Sequence, residues 1–69
     1  METEAPIELS EKERQLLHLV YEEKTNTAIA QTLDISEKTV ERYLSDLYNR
    51  LEVQTRVGAA VWYSENVKT

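Results

Sequence analysis

Between residues 35 and 51 the chain reads ISEKTVERYLSDLYNRL, and Val40, Leu44, Leu47 and Leu51 recur there at i, i+4, i+7 and i+11. That is the period of an α-helix with one apolar stripe; a half-buried strand would alternate every second residue. The stripe is narrow. Lys38, Arg42, Ser45 and Asn49 fall on the other side, with Glu41 and Asp46 flanking them. Such a helix must lay its apolar edge on neighbouring elements and leave a broad polar face outside. Ser36 stands where its N-cap belongs.

The neighbours are legible by the same chemistry. LSEKERQLLHLV opens a first helix in which Ser10 and Glu13 have capping-box spacing. Leu16, Leu17 and Val20 form its apolar face, and it should end near Glu23. Thr25 is positioned to cap a second helix over about residues 26 to 33, with Ile29, Ala30 and Leu33 inward. Asp34 and Ile35 make the turn that follows, because aspartate tolerates the left-handed conformation better than most residues. Thr55 is positioned to cap a fourth helix over about residues 55 to 66, in which Gly58 costs about 1 kcal/mol relative to alanine. No strand pattern or repeat is present, so the fold class expected is all-α: a compact four-helix bundle. Residues 1 to 8 read as a flexible leader and residues 9 to 67 as the domain.

Size and composition exclude several functions. A chain of 69 residues has no room for a deep catalytic cavity, and a domain this small buries only about 60% of its unfolded surface. There is no cysteine, and the single histidine, His18, has no cluster around it; a metal site and a Ser-His-Asp constellation are therefore not expected. Gly58 is the only glycine, so there is no glycine-rich phosphate loop. No apolar run approaches the ~20 residues of a membrane span. These readings point away from an enzyme and from any cofactor, small-molecule ligand or membrane partner, and fit a cytoplasmic setting.

A short helix, a tight turn and a longer helix with a polar outer face make a helix-turn-helix pattern. In that arrangement the second helix enters the major groove of DNA while the first supports it. The charge must be reconciled with this. The net charge is −5, but residues 1 to 24 carry seven acids against three bases, and residues 36 to 56 carry four of each. The acidity thus lies mostly towards the N-terminal end. Lys38, Arg42, Arg50 and Arg56 lie near or after the turn, and helix N-terminal amides at Ser36 and Thr55 can add phosphate contacts without side-chain charge.

The stretches LSEKERQLLHLV and TNTAIAQTLDISEKTVERYLSDLYNRLEVQTRVGAAV, at this spacing, resemble the LuxR/GerE (NarL/FixJ-type) DNA-binding domain over about residues 9 to 63. ISEKTV followed by RLEVQTR is the most specific part. The resemblance implies four helices, the third (about 36–51) reading DNA and the fourth (about 55–66) making a dimer contact. Carried over by position, it puts Glu41, Arg42 and Ser45 at base edges. It puts Asn26, Thr27, Lys38, Thr39 and Tyr43 at or near phosphate, and Ser36, at the helix N-terminus, is expected to join them. Val57, Val61 and Ser64 fall on the dimer side of the fourth helix, away from Ala59, Ala60 and Tyr63. Glu13 and Arg56 match structural positions and are expected to meet. Position 41 is usually basic in the family, position 23 usually glycine, and position 58 usually Glu or Gln; here they are Glu41, Glu23 and Gly58.

The function implied is sequence-specific binding of double-stranded DNA at promoter half-sites by a bacterial transcription regulator. The setting implied is the output domain of a two-component response regulator, homodimeric on DNA, with RNA polymerase a candidate further partner. The alternative is a protein-interaction module that kept the fold and lost DNA binding, for which Glu41 and Asp46 speak. Simpler readings stand beside the individual assignments. Ser36 is a helix cap whatever else it does. Glu41 has two readings: an ion pair with Lys38 at i,i+3, or acceptance of a cytosine amino group.

Overall fold

The structure is a computed structural model that describes residues 8–68; the first seven residues of the expected leader lie outside the described residues. It contains four α-helices: α1 (Glu11–Tyr21), α2 (Asn26–Leu33), α3 (Glu37–Leu51) and α4 (Arg56–Tyr63). A π-helical turn (Ser64–Lys68) follows α4. No strand occurs among the described residues.

All four helices start where cap chemistry places them. Ser10 Oγ accepts from the Glu13 N–H at 3.1 Å, and the Glu13 carboxylate accepts from the Ser10 N–H at 2.9 Å. Thr25, Ser36 and Thr55 each accept from the N–H three residues on, at 3.1, 3.0 and 3.0 Å. Each cap satisfies a backbone donor that the helix leaves unpaired and stabilises by about 1 kcal/mol.

The helix ends are less regular. α1 stops at Tyr21, two residues short of the expectation, because Glu23 adopts a left-handed φ of 65°. Asp34 (φ 60°) and Glu52 (φ 61°) do the same after α2 and α3. In all three the following residue donates back five residues: Lys24 to Leu19, Ile35 to Ala30 and Val53 to Tyr48, each at 3.0 Å. These are Schellman closures, usually built on glycine and here built on acids. α4 is also shorter than expected. Its α-helical part ends at Tyr63, and the chain continues to Lys68 with wider π-type winding.

The core collects Leu16, Leu17 and Val20 of α1, Ile29 and Ala30 of α2, the stripe Val40–Leu44–Leu47–Leu51 of α3, and Ala59 and Tyr63 of α4. Burying a leucine of this kind contributes about 1.5–3 kcal/mol. α1 packs chiefly on α4, and α2 on α3. The second pair, joined at Asp34, is the helix-turn-helix. Two ties hold it to the rest. Arg50 of α3 pairs with the Glu13 carboxylate and donates to the Glu8 carbonyl at 2.9 Å. Arg56 at the start of α4 donates to Asn26 Oδ1 at 2.9 Å and to the Lys24 carbonyl. The expected Glu13–Arg56 contact is therefore not formed. Glu13 faces α3 and takes Arg50, while Arg56 reaches the α1–α2 corner.

His18 is not the partnerless residue its sequence position suggests. Its Nδ1 lies 3.0 Å from the Tyr63 hydroxyl and its Nε2 3.2 Å from the Glu22 carboxylate. It bridges α1 to α4. Among the described residues no group of His, Asp and Glu is arranged to hold a metal, and no helix is long and apolar enough to cross a membrane.

Candidate nucleic-acid interface

The stripe that buries α3 also decides what α3 presents outward. With Val40, Leu44 and Leu47 in the core, Lys38, Glu41, Arg42 and Ser45 are left exposed. Ser36, Lys38, Thr39, Glu41 and Arg42 line one shallow depression. Asn26, Glu41, Leu44, Ser45, Tyr48 and Arg56 line a second. Glu41 belongs to both and forms the ridge between them. The fold thus gathers all three positions assigned to base edges and four of those assigned to phosphate.

The gathered side chains are in different states. Lys38, Glu41 and Arg42 form no ion pair among the described residues. The Glu41–Lys38 pair raised as one reading is therefore absent, and the Glu41 carboxylate is open to solvent. Ser36 is engaged: its Oγ caps Thr39 and lies 2.8 Å from the Thr39 hydroxyl. Of the four bases expected to offset the acids, Arg50 and Arg56 are committed to internal partners. That leaves Lys38 and Arg42 as the open cations of α3.

At the start of α2 two neighbours differ. Asn26 receives Arg56 through its carbonyl oxygen at 2.9 Å. Thr27 donates its hydroxyl to the Glu37 carboxylate at 2.8 Å. Glu37 was not among the sequence-predicted residues. Nothing local pairs positions 27 and 37; they meet because the Asp34 turn brings two helix N-termini together. Tyr43 is separated from the two depressions. It lies with Ser10, Lys12, Glu13, Leu16, Asp46 and Leu47 in the groove between α1 and α3, under the Lys12 ammonium at 5.7 Å from the ring centre.

Tyr48 spans core and site. Its hydroxyl oxygen is buried and has no hydrogen-bond partner. Burial pushes its pKa above the ordinary tyrosine range, partly opposed by the nearby Arg56 guanidinium.

On α4, Val57 is 73% exposed and Val61 47%. They line a depression with Val20, Tyr21 and Ala60. Ala60, expected on the core side with Ala59 and Tyr63, is only half-buried and joins the valines. Ser64 lies half-buried at the start of the π turn and donates to the Val61 carbonyl at 2.9 Å.

Comparison with known proteins bears on this geometry. Three relatives illustrate the match. The nitrate/nitrite response regulator protein NarL of Escherichia coli is 36% identical over 55 residues, 80% of this chain and 26% of the relative. The DNA-binding transcriptional activator DevR/DosR of Mycobacterium tuberculosis is 42% identical over 57 residues, 83% of this chain and 26% of the relative. The transcriptional regulatory protein LiaR of Bacillus subtilis is 36% identical over 58 residues, 84% of this chain and 28% of the relative. The chain thus spans about a quarter of the length of these relatives. The family model for bacterial regulatory proteins of the luxR family (GerE) matches residues 8–63, and the chain belongs to that family.

Proposed function

We propose that this domain binds duplex DNA as the reading module of a bacterial transcription regulator, the output domain of a two-component response regulator working in the cytoplasm. The observation that carries this is the outer face of α3, where Lys38, Glu41, Arg42 and Ser45 stand exposed without ion pairs beside the start of α2. A helix presented this way suits the major groove. Arg42 is the main base reader, since a guanidinium can grip guanine O6 and N7 together. Glu41 accepts from a cytosine amino group. Ser45 reaches a base edge one turn on. Lys38, Thr39, Ser36 and the α2 start position the helix on phosphates. Val57, Val61 and Ser64 form the contact between two copies on paired promoter half-sites, with RNA polymerase a further partner of the bound dimer.

A second reading has its own support. Glu37, Glu41, Asp46 and Glu52 lie on or just after the same helix and outnumber its bases Lys38, Arg42 and Arg50. That composition also suits a module that binds protein and has lost DNA. Selection of bound duplexes from a random-sequence pool at low salt separates the two. A common motif in the selected pool, relaxed at one position by Arg42→Ala, supports base reading; discrimination there should fall by about 1–3 kcal/mol. A pool that stays random for the parent protein removes the DNA reading.

A further inference from the structure

Asn26 and Arg56 carry an inference that rests on the DNA reading and goes beyond it. An arginine guanidinium has only donors. The contact from Arg56 at 2.9 Å therefore fixes which end of the Asn26 amide faces the guanidinium: the carbonyl oxygen. The amide nitrogen is left on the other side, with no acceptor among the described residues. It is not sealed from solvent, since the Tyr48 hydroxyl is the one unpartnered side-chain polar atom that is. Asn26 lines the same depression as Glu41 and Ser45. Its neighbour Thr27 has no such freedom, because Glu37 holds its hydroxyl.

We propose that Arg56 is a positioning residue for DNA binding: it holds the Asn26 side chain so that the amide N–H groups face the DNA backbone and donate to one phosphate. Arg56 itself does not touch the nucleic acid. Its guanidinium is engaged by Asn26 and the Lys24 carbonyl. The donor it prepares is uncharged, so it adds affinity without neutralising a phosphate or releasing a counterion.

That last point supplies the test. Binding of a fluorescent random-sequence duplex is measured across a salt series for the parent, Asn26→Ala, Arg56→Met and the double variant. Circular dichroism confirms that each is folded at the assay temperature. Each single variant should bind about ten- to a hundredfold more weakly, the span of one hydrogen bond to a charged acceptor. The double variant should bind no more weakly than Arg56→Met alone, and all four salt slopes should agree. A slope shallower by roughly one phosphate contact in Arg56→Met would mean that the guanidinium meets DNA directly. Losses that multiply, or no loss in Asn26→Ala, would equally overturn the proposal. A second measurement needs no DNA. The Asn26 side-chain amide protons should resonate away from free-chain positions in the parent and move to them in Arg56→Met; free-chain positions in the parent would refute the hold. A parent that binds no duplex removes the DNA reading, and with it the phosphate contact, while the amide measurement still decides whether Arg56 orients Asn26.

Discussion

The Thr27 hydroxyl and the Glu37 carboxylate meet at 2.8 Å across the turn that joins α2 to α3. Both residues lie in the first turn of their helices, where backbone N–H groups attract anions. The carboxylate therefore occupies ground that a DNA phosphate would favour. Glu37→Ala should raise duplex affinity, and the gain should shrink in a Thr27→Ala background, where no hydroxyl is released. Equal gains in both backgrounds would reduce Glu37 to a simple repulsive charge. The same change should cost about 0.3–1 kcal/mol of stability, since an acid is lost from the first turn of α3.

Glu41, on the ridge between the two depressions, can be separated into its two roles by reversing its charge. If it only repels phosphate, Glu41→Lys should strengthen binding to every duplex alike and steepen the salt dependence by roughly one contact. If it reads cytosine, affinity should rise on random DNA and fall relative to it on the selected site. Salt series on both duplexes give the answer.

Val61 tests assembly. Together with Val57 it is a small exposed apolar pair, far below the area of a stable interface, so free copies should associate weakly. Val61→Glu should weaken binding to paired half-sites more than binding to one. Equal loss on both would make Val61 a packing residue of its own domain.

Tyr48 offers a stability measurement with a pH signature. Its buried hydroxyl lacks a partner, and Tyr48→Phe removes that unsatisfied group. The variant should unfold at higher denaturant concentration, by about 1 kcal/mol. Because the folded-state pKa is raised, the folded protein holds the phenolic proton more tightly than the unfolded chain. That contribution is complete below the unfolded value of about 10 and is lost as pH rises through the folded one. The parent should therefore lose stability through alkaline pH by a component that the phenylalanine variant lacks.

The helix starts were readable because capping is local chemistry: Ser10, Thr25, Ser36 and Thr55 each act three residues away. The core stripe of α3 was readable because periodicity is local too. The endings were readable in part: α2 and α3 stop at Leu33 and Leu51 as expected, and Asp34 takes the left-handed turn its side chain announced, while α1 and α4 stop early. Glu23 and Glu52 lack the glycine signal that would announce a left-handed closure, yet both adopt one. Long-range partners were the least legible. The family resemblance paired Glu13 with Arg56, but how α1 lies against α3 gives it Arg50 instead. For the same reason the sequence showed Asn26 and Thr27 as equivalent neighbours, whereas the fold gives one an arginine and the other an acid.

Three helices of this domain stop on a carboxylate held at positive φ. Each such residue bears a left-handed backbone that costs roughly 1–2 kcal/mol, and its charge sits beside the negative end of the helix. Glu23→Gly should return about 1 kcal/mol of that, read as a higher melting temperature. The strain lowers the reserve of the folded domain, so a ligand that binds only the folded form should raise its melting temperature in a concentration-dependent way. On the reading proposed above, duplex DNA is such a ligand, and the strained helix ends would make heat resistance a direct gauge of its binding.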